Sequence, residues 1–114
     1  AEASVDWNAP DFELVSDQGK LDKAKNLYTA NCAACHGALG EGGIGPNLTD
    51  DYWIHGPGIN NIARIIALGV PEKGMIPWKN TFKSTDIVSL ASYVITLHGT
   101  NPPNAKAPQG DLYE

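Results

Sequence analysis

Residues 32–36 read Cys32-Ala33-Ala34-Cys35-His36, and the spacing of these side chains narrows the chemistry sharply. Two thiols one helical turn apart can add to the two vinyl groups of a single porphyrin. The next residue, His36, then lies under the iron as an axial ligand. Ala33 and Ala34 are small enough to let helical backbone approach the macrocycle. The competing uses of this pattern fit less well. A redox-active Cys-x-x-Cys follows a strand, and no strand pattern precedes Cys32. A zinc site needs about four ligands, whereas this segment supplies three; His55 or His98 could complete it, but at no common finger spacing. A disulfide would have to close a very short loop. A structural pair of cysteines leaves the adjacent His36 unexplained. The motif therefore points to one covalent heme c.

Outward from the motif, Leu21, Ala24, Leu27 and Tyr28 recur at helical spacing and predict a helix from about Lys20 to Asn31. Downstream, residues 37–58 carry Gly37, Gly40, Gly42, Gly43, Gly45, Pro46, Gly56, Pro57 and Gly58, interleaved with Leu48, Tyr52, Trp53 and Ile54. A loop of this length in a small domain is expected to wrap something. Asn60 or Asn61 is expected to cap a second helix with Ile62, Ala63 and Ile66 on its buried face and Gly69 as its stop. Residues 70–83 return to loop. Ser84 is expected to cap a third helix, with Ile87, Leu90, Ala91, Val94 and Ile95 buried and Gly99 ending it. No repeat is visible and no segment alternates as a strand.

The 114 residues fit one small domain, for which a heme would add a large apolar body to a limited core. The division expected is an acidic extended arm over 1–17, the heme domain over 18–98, and a Pro-rich tail over 99–114 packed on that domain. The net charge of −5 belongs to the arm: Glu2, Asp6, Asp11, Glu13 and Asp17 fall there with no Lys or Arg, and the remaining acids and bases balance. This argues against nucleic-acid binding, and the arm reads as a solvated tail. No apolar run is long enough to span a bilayer. Ala1 in place of an initiator methionine is expected of a processed chain or an excised domain.

A low-spin electron-transfer heme needs a second axial ligand. Met75 is the sole methionine and stands in Gly74-Met75-Ile76-Pro77-Trp78, a loop setting unusual for a packing methionine. A thioether ligand favours ferrous iron and raises the potential. His55, in the wrapping loop, and His98, at the end of the third helix, are the rivals. The remaining ring N–H of His36 needs an acceptor, and the Pro46 carbonyl in Gly45-Pro46-Asn47-Leu48 is a candidate.

In this order the motifs resemble those of class I c-type cytochromes: a helix, Cys32-x-x-Cys35-His36, Gly45-Pro46-Asn47-Leu48, Gly74-Met75-Ile76-Pro77, and a final helix carrying Tyr93. The resemblance implies an all-α class I cytochrome c fold, three to five helices wrapped around one covalent heme. It implies Met75 as sixth ligand, the Pro46 carbonyl on His36, and a crossing of the first and last helices with Ala24 against Tyr93. A narrower resemblance lies in residues 47–56, in 69–78 and in the Pro-rich run 99–110. These are similar to the C-terminal heme domain of the diheme cytochrome c subunit of cbb3-type oxidases. That subunit has two heme motifs and a membrane anchor, whereas this chain carries one motif and no anchor. The implied setting is periplasmic, or the outer face of the cytoplasmic membrane. The implied partners are a terminal oxidase or a cytochrome bc-type donor, with a membrane tether in any longer parent.

The function expected is single-electron transfer, not catalysis. Leu48, Ile76 and Trp78 would surround the heme with apolar side chains, and Trp53, Tyr52 or Arg64 would bond its propionates. Lys73, Lys79 and Lys83 form either a basic docking rim or ordinary solvated lysines. A peroxidase-like enzyme or a heme-based sensor remains the alternative, and would need a displaceable sixth ligand.

Overall fold

The computed structural model describes the chain apart from residues 1–5, 8–11, 38, 44, 46, 47, 49–51, 54–57, 72, 73, 101, 103, 104, 108, 113 and 114. The elements run α1 (Gln18–Asn31), α2 (Ala33–His36), β1 (Tyr52–Trp53), α3 (Ile59–Leu68), α4 (Ser84–Leu97) and β2 (Asp111–Leu112). The fold is helical, and the two short strands form one antiparallel pair, Tyr52 opposite Leu112 and Trp53 opposite Asp111. That pairing, not expected from the sequence, folds the Pro-rich tail back onto the long loop. Lys106 N–H adds a second tie, donating to the Glu41 carbonyl at 2.8 Å.

Each helix begins a little away from its expected residue, for a local reason. The carboxylate of Asp17 accepts from Lys20 N–H at 3.0 Å, so α1 starts at Gln18 rather than Lys20. Gly58, not an asparagine, occupies the cap of α3. Asn60 is spent elsewhere, its side-chain oxygen accepting from Phe12 N–H at 2.7 Å. Lys83 takes the cap position of α4 and Ser84 is its first helical residue. Gly69 ends α3 with φ +70°, its N–H still donating to Ile65.

The core lies where α4 meets α1 on one side and α3 on the other. Ala24 and Tyr28 of α1, Ile62, Ala63, Ile66 and Ala67 of α3, and Ile87, Leu90, Ala91, Val94 and Leu97 of α4 are buried. Complete burial of a side chain such as Leu90 or Ile87 contributes about 1.5–3 kcal/mol. Ile95 is only partly buried against this cluster. The Tyr28 and Tyr93 rings meet at 5.4 Å across the α1–α4 crossing, where Ala24 is fully buried. Outside the crossing, Lys23 and Asp86 form a surface salt bridge.

The N-terminal arm departs from the solvated tail expected of it. Trp7 is a core residue, and Phe12 packs on the same cluster with its ring 5.5 Å from that of Trp7. Val15 N–H donates to the Ser92 hydroxyl at 2.9 Å. Burying a large aromatic outweighs the polarity of its neighbours, whose charged groups Asp6 and Glu13 remain at the surface.

Candidate heme site

α2 follows α1 after one non-helical residue, Cys32, which carries over the hydrogen-bond ladder. Cys32 N–H donates to Tyr28, and His36 N–H donates back to Cys32 at 3.0 Å. Both thiols are free, Cys32 half-buried and Cys35 exposed. Burial, and then the neighbouring Cys35, push the Cys32 thiol up to about 11 before any group is attached to it.

His36 closes α2, and the following loop folds back against it. Gly42 N–H donates to the His36 carbonyl at 2.7 Å, and Gly45 N–H to the Cys35 carbonyl at 2.8 Å. Gly45 lies so close to the imidazole that a Cβ there would stand 2.7 Å from Cε1 and 2.9 Å from Nδ1. Only glycine fits at that approach. At Gly43 a Cβ would reach 3.0 Å from the Cys35 carbonyl oxygen. Gly43 and Gly45, legible beforehand only as breakers, are thus clearance for the Cys32–His36 turn. Leu48 N–H donates to the Gly40 carbonyl at 2.7 Å, and the Leu48 side chain packs on the core cluster.

Met75 sits in a second loop, hung on α3. It forms a two-way bridge with the buried Val70, N–H to carbonyl at 2.9 and 3.1 Å. Trp78 and Lys79 N–H groups donate to the Ile66 and Ala67 carbonyls, satisfying two of the groups that the end of α3 leaves open. Gly69 permits the approach: a Cβ there would lie 2.6 Å from the Met75 carbonyl oxygen and from the Ile76 carbonyl carbon. Met75 is half-buried against the core, and Trp78 stacks on Phe82 at 5.0 Å and 10°.

The structure therefore gathers Cys32, Cys35 and His36 on one turn, and sets Cys32, Leu48, Met75 and Trp78 against one core cluster. Ile76 is 55% exposed and Leu39 52%, large apolar side chains that the polypeptide leaves uncovered in the two loops. Arg64 lies half-exposed on α3 with its guanidinium 3.5 Å from Asn61 Oδ1. Lys79 and Lys83 are exposed, and His98 is an exposed residue at the end of α4. Pro46, His55 and Lys73, and the side chains of Tyr52 and Trp53, lie outside the described residues. Among the described residues, no three His, Cys, Asp or Glu side chains gather as a zinc site would require. The donor set fits a covalent heme: paired thiols, an imidazole beside them, a thioether in a second loop packed on the same core cluster, and apolar side chains free to cover a macrocycle.

Helices of this order with a Cys-x-x-Cys-His turn define a class I c-type cytochrome. The structure matches cytochrome cL of Methylophaga aminisulfidivorans MPT with a TM-score of 0.72 at 20% identity, over 80% of this chain and 77% of that one. It also matches cytochrome cL of Hyphomicrobium denitrificans, with a TM-score of 0.64 at 27% identity, over 70% of this chain and 48% of that one. Residues 19–94 match the family model described as cytochrome C oxidase, cbb3-type, subunit III, and the chain belongs to that family. It is 36% identical over 103 residues to the cbb3-type cytochrome c oxidase subunit CcoP of Rubrivivax gelatinosus, covering 88% of this chain and 33% of that protein. It is 33% identical over 111 residues to the corresponding subunit FixP of Azorhizobium caulinodans, covering 90% of this chain and 36% of that protein. The chain thus spans about a third of the length of these relatives. Among the described residues no helix is long and apolar enough to cross a membrane.

Proposed function

We propose that this chain carries single electrons on one heme c, bound covalently through Cys32 and Cys35, with His36 and Met75 as axial ligands. The heme iron supplies a one-electron couple between its ferric and ferrous forms. The observation that carries the reading is the pairing of a rigid Cys32–His36 turn with a methionine loop bridged to Val70 and tied to the end of α3. Ligands held by backbone hydrogen bonds move little between charge states, so little reorganisation accompanies each transfer. The Met75 thioether would favour the ferrous state, and apolar cover from Leu48, Ile76 and Trp78 would disfavour the extra ferric charge. Arg64, and Trp53 or Tyr52, would hold the propionates, and the Pro46 carbonyl would accept from the His36 ring.

The setting we propose is a respiratory chain outside the cytoplasm, with the chain as a domain of a cbb3-type oxidase or as a donor to a terminal oxidase. Family membership and the likeness to CcoP and FixP support it. Lys79 and Lys83, exposed after the Met75 loop, would line the docking rim together with Lys73.

The test is the absorption spectrum of the holoprotein in both redox states, with heme stoichiometry by mass. One heme per chain is expected, together with the weak red band of a ferric His–Met heme. Met75→Ala should abolish that band and admit cyanide readily. A Met75→Ala protein that kept the wild-type six-coordinate spectrum would show another sixth ligand and sink the assignment.

A further inference from the structure

We propose that Tyr28 is a positioning residue for the His36 imidazole, holding both ends of the heme-attachment turn from one point on α1. The inference rests on His36 being an axial ligand. At the start of the turn, the Tyr28 carbonyl accepts the Cys32 N–H at 2.8 Å. At its end, the Tyr28 hydroxyl donates to the Gly37 carbonyl at 2.7 Å. The segment between these two bonds contains Cys32, Cys35 and His36.

A clamp is needed there. α2 has four residues, too few to sustain a helix by its own hydrogen bonds. It ends at Gly37 with φ +82°, where the chain swings away immediately after His36. The Gly37 carbonyl is held by two donors, the Tyr28 hydroxyl and, at a longer 3.2 Å, the Gly40 N–H. Tyr28 is itself fully buried, with its ring against Tyr93 of α4. A phenylalanine would supply the same ring packing, so the hydroxyl is the part that packing does not explain. A buried hydroxyl is costly without a partner, and this one has the Gly37 carbonyl. Burial above all, with Tyr93 and Glu41 nearby, pushes the Tyr28 phenol well above the usual tyrosine range. It therefore stays protonated, and a donor, at neutral pH. The backbone that carries His36 is thus held from Gly37, while Gly45 stands close beside the ring itself.

The experiment uses the ferric holoprotein and its paramagnetic proton NMR spectrum, in which the spread of the heme methyl shifts reads the orientation of the axial ligands. Tyr28→Phe should change that spread and shift the His36 ring protons. Tyr93→Phe, which keeps the ring contact and leaves Tyr28 in place, should leave both as in the wild type. Unchanged heme methyl and His36 signals in Tyr28→Phe would overturn the proposal. A wild-type spectrum without shifted His36 ring protons would instead overturn the ligand assignment beneath it. A second measurement needs no variant: in wild-type holoprotein the Tyr28 hydroxyl proton should exchange slowly and show a nuclear Overhauser contact with Gly37. Exchange of that proton at the solvent rate would equally overturn the proposal.

Discussion

The two sides of the proposed heme site hang from different helices. The Cys32–His36 turn continues α1 and is tied to it twice through Tyr28. The Met75 loop hangs from α3, through Trp78 and Lys79 N–H groups on the carbonyls of Ile66 and Ala67. Among the described residues α1 and α3 do not pack on each other, and each packs on α4. The two sides are therefore independent in their local bonding and coupled through one shared helix. Damage to either supporting loop should be one-sided, whereas damage to α4 should reach both.

Leu90→Ala is the largest expected break. It empties a fully buried position of α4 and should cost about 4 kcal/mol in denaturant unfolding, through lost transfer energy and the cavity left behind. Both ligand sides should loosen together, visible as parallel loss of the red band and of the His36 NMR signals. Gly69→Ala should cost about 3 kcal/mol, because φ is +70° and the new Cβ meets backbone at 2.6 Å. Its signature is one-sided: the Met75 band weakens while the His36 ring signals stay. Gly45→Ala is the mirror case, at about 2 kcal/mol, with the new methyl driven into the imidazole. The His36 signals should shift while the methionine methyl resonance stays near its wild-type position. Equal damage to both sides by either glycine variant would refute the independence of the two loops.

The smallest effect is on pH. The Tyr28 phenol titrates higher folded than unfolded, where it has the ordinary value of about 10. Its contribution is complete below that value and is lost as pH rises above it. The slope is about 1.4 kcal/mol per pH unit, since only the unfolded chain releases the proton. That slope develops only above pH 10, so unfolding free energies measured from pH 9 to 11 should fall by about 1.4 kcal/mol more in wild type than in Tyr28→Phe.

The buried faces of α3 and α4 were legible because Ile62, Ala63, Ile66, Ile87, Leu90, Ala91 and Val94 recur at helical spacing, and that period is a local property. Trp7 carried no such signal. It stands alone among acids and is buried through contacts between distant parts of the chain, with Phe12 N–H reaching Asn60 and Val15 N–H reaching Ser92. The role of Gly45, and the second role of Gly69 beyond the helix stop expected of it, were equally hidden. A glycine in sequence marks a permissive backbone, but whether it ends a helix or makes room for a side chain depends on what approaches it. Gly69 does both: it ends α3 and admits the Met75 loop.

By itself the sequence determined the chemistry that a few neighbouring residues can carry. Cys32, Cys35 and His36 lie within five consecutive positions, and helical rise alone brings their side chains together. The tertiary structure alone decided how the Met75 loop is placed relative to that turn. Nothing in the spacing between residues 36 and 75 encodes a distance. It is set by how closely α1 and α3 pack on α4, and by the glycines that let each loop come near.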